Sequence, residues 1–241
     1  MQQILAVLYR EFLIRTTSPL WLFFDLMLPL LYMLTFGVAF DKTVSAGMSH
    51  GGATVGYNAF FLAGVLSMSC FGTAINQSYG FFVDRDNGIF YEFLTYPMTR
   101  GQFLVGKIVF QAILAVVQCV LALLAAALLL DIPLKAEWLV FVFLAVMVGT
   151  AGWFFFLAIF AFLIRRNDMY NTVLNVGYFV LIFLSSMFYP LDNVPEWFRT
   201  MSYANPLTWL TDTLRFLTIG VGDFSTIGIE AVGFVLFLLA S

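Results

Sequence analysis

The stretch FFVDRDNGIFYEFLTYPMTRGQFLVGK, residues 81–107, is where the chain changes character. Asp84, Arg85, Asp86, Glu92 and Arg100 fall close together, after forty-one residues, 43–83, that hold no Asp, Glu, Lys or Arg. Apolar runs long enough to cross a bilayer flank the segment on both sides. Charge between two such runs has to leave the hydrocarbon, so this segment is a turning point of a polytopic membrane chain. The composition agrees. Of 241 residues, 62% are hydrophobic and 10% charged, whereas soluble domains carry about 25% charged residues. A soluble fold of this length has too little interior for so much apolar surface.

About 20 apolar residues at 1.5 Å each cross a hydrocarbon core of roughly 30 Å. The sequence predicts an all-α membrane protein with spans at about 20–40, 57–82, 104–130, 138–164 and 169–190, and a sixth at 227–241. From Ala231 the last run has only eleven residues, so the natural chain is expected to continue past Ser241. With alternating spans, Arg10, Arg15, Arg85, Arg100, Lys107, Arg165 and Arg166 share one side. Lys42, Lys135, Arg199 and Arg215 share the other. The excess of basic residues on the first side predicts a cytoplasmic N-terminus and a cytoplasmic 84–100 loop. No loop is long enough for a soluble domain, so the chain reads as one membrane domain.

The first residues, 2–16, are no secretory signal, because Arg10, Glu11 and Arg15 interrupt the apolar stretch. Ile4, Leu5, Leu8 and Phe12 share one helical face, with Gln3, Arg10 and Glu11 on the other. This is the pattern of a helix lying in the membrane interface. Cys70 and Cys119 sit inside apolar runs without His, Asp or Glu beside them, and read as small buried apolar residues. His50 stands alone and is assigned no role. Asn76-Gln77-Ser78 fits a glycosylation pattern, but inside a span it carries no meaning.

Gly101 to Lys107 matches the first seven positions of a phosphate-binding loop. Position eight is Ile108, where a hydroxyl should hold magnesium, and no strand precedes it. Thr99 with Gln102 reads instead as a capping box opening the third span. Lys107 then lies one to two turns into that helix and is expected to snorkel to the headgroups. In the loop, Asp86 or Asn87 is expected to cap a short helix from about Gly88 to Tyr96, stopped by Pro97. Ile89, Phe90, Phe93 and Leu94 make its apolar face. Two readings stay open for it: a float among headgroups, or a helix that inserts into a partner's groove.

Other polar residues punctuate the spans. Asn167, Asn171 and Asn175 recur every four residues, and Gln111 and Gln118 share a face of the third span. Such groups turn towards the protein interior, either bonding helix to helix or lining a pathway. Asp25 is expected in an interfacial salt bridge. Residues 191–218 are too short to cross, and read as a segment that dips into the outer leaflet and returns. Pro195 suits the start of one short helix there, and Asn205-Pro206 the cap and first position of another. Arg215 and Glu230 are expected near the outer face, where neutral replacement should not cost membrane insertion. An intramembrane enzyme is disfavoured, because the spans hold no His, no clustered acids and no Ser/Lys pair.

Two of these stretches together resemble the type-2 ABC exporter permeases. The first carries Asp84, Arg85, Gly88, Glu92, Leu94, Pro97, Thr99, Arg100, Gly106 and Lys107. The second carries Pro190, Pro195, Trp197, Asn205, Pro206, Leu207 and Arg215. The resemblance covers essentially the whole chain. It implies a half-transporter in the inner membrane of a prokaryote, moving a hydrophobic or amphipathic substrate outward. It implies pairing with a second copy and binding two copies of a separate ATPase, which would hold the ATP and magnesium. No cofactor of the chain's own and no nucleic acid are implied. The 84–100 segment would be the coupling helix, with Arg85, Gly88, Phe90, Glu92, Phe93, Leu94 and Pro97 facing the ATPase; residues 2–16 would be a connecting helix. The family's short basic C-terminal tail is not present. The alternative is a membrane channel or scaffold that recruits a cytoplasmic partner through the same amphipathic helix.

Overall fold

The computed structural model describes residues 2–44, 49–50, 53–54, 56–93, 95–130, 132 and 134–241. Ten α-helices follow in order among these: α1 (Gln2–Thr16), α2 (Pro19–Val44), α3 (Tyr57–Asp86), α4 (Ile89–Phe93), α5 (Arg100–Leu129), α6 (Leu139–Leu163), α7 (Asn167–Phe183), α8 (Glu196–Tyr203), α9 (Pro206–Ile219) and α10 (Phe224–Ala240). A two-residue antiparallel ladder, Ser49–His50 with Ala53–Thr54, sits between α2 and α3. Helices dominate because a lipid-exposed backbone must satisfy its own hydrogen bonds. By length and apolarity α3, α5 and residues 136–163 each suffice to cross a membrane, while Phe23–Gly37 within α2 and Phe224–Ala240 are shorter apolar helices.

Two boundaries differ from the sequence reading. The second run continues as helix to Asp86, so Asp84 and Arg85 belong to the last turns of α3 and not to the loop. Their side chains are held by partners on other helices, described below, which keep those turns wound. The fifth run stops being helical at Phe183. There the Ser185 hydroxyl donates to the Ile182 carbonyl at 2.6 Å and accepts from the Met187 amide at 3.3 Å. Serine side chains that bond the backbone in this way offer it an alternative to the helical ladder.

At the centre lies α3, packed against α2, α5, α6 and α9. Its residues 60–71 are buried without interruption. Small side chains at Ala63, Ser67, Ser69 and Ala74 allow neighbouring backbones to approach, and larger rings fill the remaining space, as where Phe71 meets Trp153 with centroids 4.4 Å apart. By contrast α5 has two faces. Val105, Val109, Ile113, Val117, Val120, Leu124 and Leu128 form an exposed stripe at helical spacing. Opposite it, Phe103, Ala115, Cys119, Ala122 and Ala126 are buried. Both cysteines are free and buried, as expected. Helix α7 is the outlier, packed most closely on α3 and α6 and only sparsely there.

The two faces of α5 give a stability test. Ala115→Phe forces a ring into close packing and is expected to lower the thermal midpoint of the purified protein, at a typical cost of about 1–3 kcal/mol. Ile113→Ala, on the exposed stripe, should stay within about 0.5 kcal/mol of the parent. Equal effects would mean that α5 is rotated relative to this packing.

Candidate functional site

At the end of the bundle that carries α1 and α4, five polar side chains from three helices converge. Lys107 of α5 is 1% exposed. Its ammonium meets Glu11 of α1 at 2.8 Å and Asp84 of α3 at 2.7 Å. Arg10 donates to both Asp84 oxygens, to Oδ2 at 3.0 Å, and reaches Glu11 at 3.1 Å. Gln77 Nε2 donates to the second Glu11 oxygen at 3.1 Å. Burial alone would lower the Arg10 pKa, but the hydrogen bond and charge of Asp84, with Glu11, hold it above its ordinary value. The snorkelling role expected of Lys107 is therefore corrected: two carboxylates hold it inside the protein. The approach of α1 to α5 depends on Gly106, where a Cβ would lie 2.7 Å from the Val7 Cβ. The capping box that opens α5 is present, with Gln102 N to Thr99 Oγ1 at 3.3 Å and Thr99 N to Gln102 Oε1 at 3.0 Å.

The loop helix hangs from this cluster. Asn87 closes α3, and Gly88, at φ 78°, turns the chain into α4. That left-handed angle suits glycine. Only five residues, Ile89–Phe93, are helical, fewer than the expected stretch to Tyr96. Phe90 is 4% exposed, packed among Phe81, Phe103 and Phe162. Phe93 lies against Phe103, beneath the Arg10 guanidinium. Arg85 stacks over Phe82 at 4.7 Å and donates to the Ala161 and Ile164 carbonyls at the end of α6. Phe90 and Arg85 are thus engaged within the chain itself, Phe90 buried and Arg85 half-buried. Glu92 and Pro97 are exposed, with Tyr91 and Tyr96 at 59% and 60%. Leu94 lies outside the described residues. Between α1 and this loop runs a groove of about 590 Å³, lined by Gln3, Arg10, Ile89, Glu92, Phe93 and Tyr96 among others.

Three further cavities follow α3 away from that end. An ionic cavity of about 450 Å³ contains the cluster residues. It shares Asn76 with a cavity of about 370 Å³ lined by Asp25, Thr73, Gln118 and Asn175. That one shares Met68 and Tyr178 with an aromatic cavity of about 500 Å³, walled by Tyr32, Phe36, Phe183 and Phe188. Asp25 makes the expected salt bridge with Arg15 at 2.8 Å and accepts from Asn76 at 2.7 Å. Gln118 bonds helix to helix, accepting from Thr73 at 2.9 Å and donating to the Asp25 carbonyl at 3.1 Å. Gln111 is buried with both amide atoms unpartnered. The α7 asparagines bond one another, Asn171 to Asn167 at 2.9 Å and Asn175 to the Asn171 carbonyl at 2.8 Å. Asn167 and Asn175 remain exposed.

At the opposite end two charged residues are buried. Arg215 is fully buried, under the Phe60 ring, bonded to Asp212 and to the Ser186 carbonyl at 2.7 Å. Glu230 is 8% exposed, with one oxygen unpartnered. A neutral residue in place of Arg215 would leave Asp212 and the Ser186 carbonyl without that partner. Asn205 caps α9 through Leu207 N at 3.0 Å, and Pro206 takes the first position, as read from sequence. Pro195 precedes α8 and is exposed, as is Trp197. The cluster of Arg10, Glu11, Asp84 and Lys107 escaped the sequence reading. Its only local signal was charge at the ends of otherwise apolar helices.

Residues 2–218 match the family model described as ABC-2 type transporter. The protein named transport permease ycf38 of Cyanophora paradoxa is 27% identical over 219 residues, covering 90% of this chain and 74% of that protein. Its namesake in Porphyra purpurea is 24% identical over 217 residues, with the same coverage. The multidrug ABC transporter permease YbhR of Escherichia coli K12 is 26% identical over 164 residues, covering 66% of this chain and 43% of that protein.

Breaking the ionic cluster tests its weight. Lys107→Met leaves buried carboxylate without its ammonium and should destabilise the protein by about 3–5 kcal/mol. Adding Glu11→Gln removes part of that unpaired charge and should recover a measurable share, read as thermal midpoints in nanodiscs. Strictly additive losses would mean that Lys107 and Glu11 do not act as a pair.

Proposed function

The chain belongs to the ABC-2 type transporter family, and on that premise we propose that it is the membrane permease of an ATP-driven exporter whose hydrolysing subunit is a separate protein. In this reading two copies form the pathway, and two ATPase subunits dock at the end carrying α1 and α4, which faces the cytoplasm of a prokaryotic cell. The substrate is a hydrophobic or amphipathic molecule that moves outward.

One observation carries the docking part. Helix α4 is anchored by buried Phe90, while Glu92 and Tyr96 are left bare along a groove and Tyr91 is bare beside them on the same short helix. Large aromatic residues, fixed from behind and exposed in front, suit a protein contact, where they contribute most of the binding energy. Phe90 and Phe93 of α4 pack on Phe81 and Phe103, and Phe93 lies under Arg10, so a push on α4 meets the helices that the Lys107 ion pairs tie together. Binding at α4 can then bias how the helices around the cavities are arranged. The bare asparagines on the sparsely packed α7 support a second copy as the other wall of the pathway, since polar side chains in lipid seek protein or water.

Replacement of the two tyrosines separates docking from folding. Tyr91→Ala and Tyr96→Ala should each weaken ATPase association by about 2 kcal/mol, roughly thirtyfold, with the thermal midpoint of the permease unchanged. Phe90→Ala should instead lower that midpoint. Co-purification with the ATPase at graded concentrations reads the first effect. Full assembly by the double tyrosine variant would sink the docking assignment.

A further inference from the structure

The cavities along α3 change chemistry in a fixed order: ion pairs at the α1 end, then amides, then aromatic rings. Around the ionic and amide cavities stand three cations, Arg10, Arg15 and Lys107, and three carboxylates, Glu11, Asp25 and Asp84. Each cation is already in an ion pair. An anionic head entering there finds no free positive charge and must displace a carboxylate.

The amide cavity presents mostly oxygen. Arg15 pairs with Asp25 but does not line this cavity, whereas Asp25 does. Asn76 and Asn175 each commit one amide N–H, to Asp25 and to the Asn171 carbonyl. Their side-chain oxygens have no donor among the described residues. With the Asp25 carboxylate beside them these oxygens can accept from a donor head, and the remaining amide hydrogens bring no positive charge to offset that carboxylate for an anionic one. Beyond Tyr178 and Met68 the aromatic cavity offers almost no polar surface, and suits an apolar body.

We propose that this cleft selects amphiphiles whose head donates hydrogen bonds, a hydroxyl or ammonium head, and disfavours phosphate heads. Asn76 and Asn175 read the head, with the Asp25 carboxylate behind them. Tyr32, Phe36 and Phe188 hold the apolar chain. This rests on the permease reading and names the substrate class within it.

The test uses the full permease in phosphatidylcholine nanodiscs, without ATPase. Three probes share one twelve-carbon chain with a photoreactive group and differ in head: primary ammonium, glucoside or phosphate. Labelled peptides are mapped by mass spectrometry. Ammonium and glucoside probes should label peptides containing Tyr32, Phe36 or Phe188 about tenfold more than the phosphate probe, the order expected of one or two hydrogen bonds. Asn175→Val and Asn76→Leu should each reduce the donor-head labelling about three- to tenfold and leave phosphate labelling unchanged. Asn175 is exposed, so its replacement leaves the fold intact. Equal labelling by the phosphate probe, a preference that survives both variants, or no labelling of the aromatic wall above bulk lipid would each overturn the proposal. ATPase association is measured on the same preparations. Intact association with no head preference removes only this inference; a head preference with no association removes only the transporter reading.

Discussion

A lysine ammonium cannot stay buried unless carboxylates reach it, and this constraint organises one end of the molecule. Lys107 is two turns into α5, in a largely apolar helix. Its partners come from α1 and from the last turns of α3. Meeting that requirement fixes the angle at which α1 lies, the point at which α3 stops and the way α5 leaves the loop. Gly106 permits the close approach, and Arg10 closes the set by holding Asp84 and Glu11 together. The loop helix inherits its position from these contacts and adds only the seating of Phe90.

The sequence read well wherever cause and effect are local. The capping box of Thr99 and Gln102 and the cap of Asn205 before Pro206 involve residues a few positions apart, and both are present. The salt bridge of Asp25 was legible because Arg15 lies ten residues away across a single turn. The helix of α1 and its exposed apolar side were legible too, with Leu5, Tyr9 and Phe12 outward. Which edge it turns inward was not, because that depends on groups far along the chain.

The misplaced residues fail for one physical reason. A five-residue helix with Ile89, Phe90, Tyr91 and Phe93 is apolar on most of its circumference, so periodicity cannot say which ring faces the protein. Packing decides it: Phe81, Phe103 and Phe162 make a pocket that one ring fills, and it is Phe90. Arg85 and Arg215 looked like surface charges because each lies near a span end. In the fold one satisfies the carbonyls that close α6, and the other reaches Asp212 and the backbone at Ser186.

The bond between Glu11 and Lys107 joins residues 96 positions apart. During synthesis, at about 5–20 residues per second, α1 emerges roughly 5–20 s before its lysine exists. For that interval Glu11 has no ammonium to meet and no reason to leave water. A helix held at the membrane surface waits at little cost, whereas one that inserted early would carry unpaired charge into hydrocarbon. The first segment made is thus completed only by one made much later.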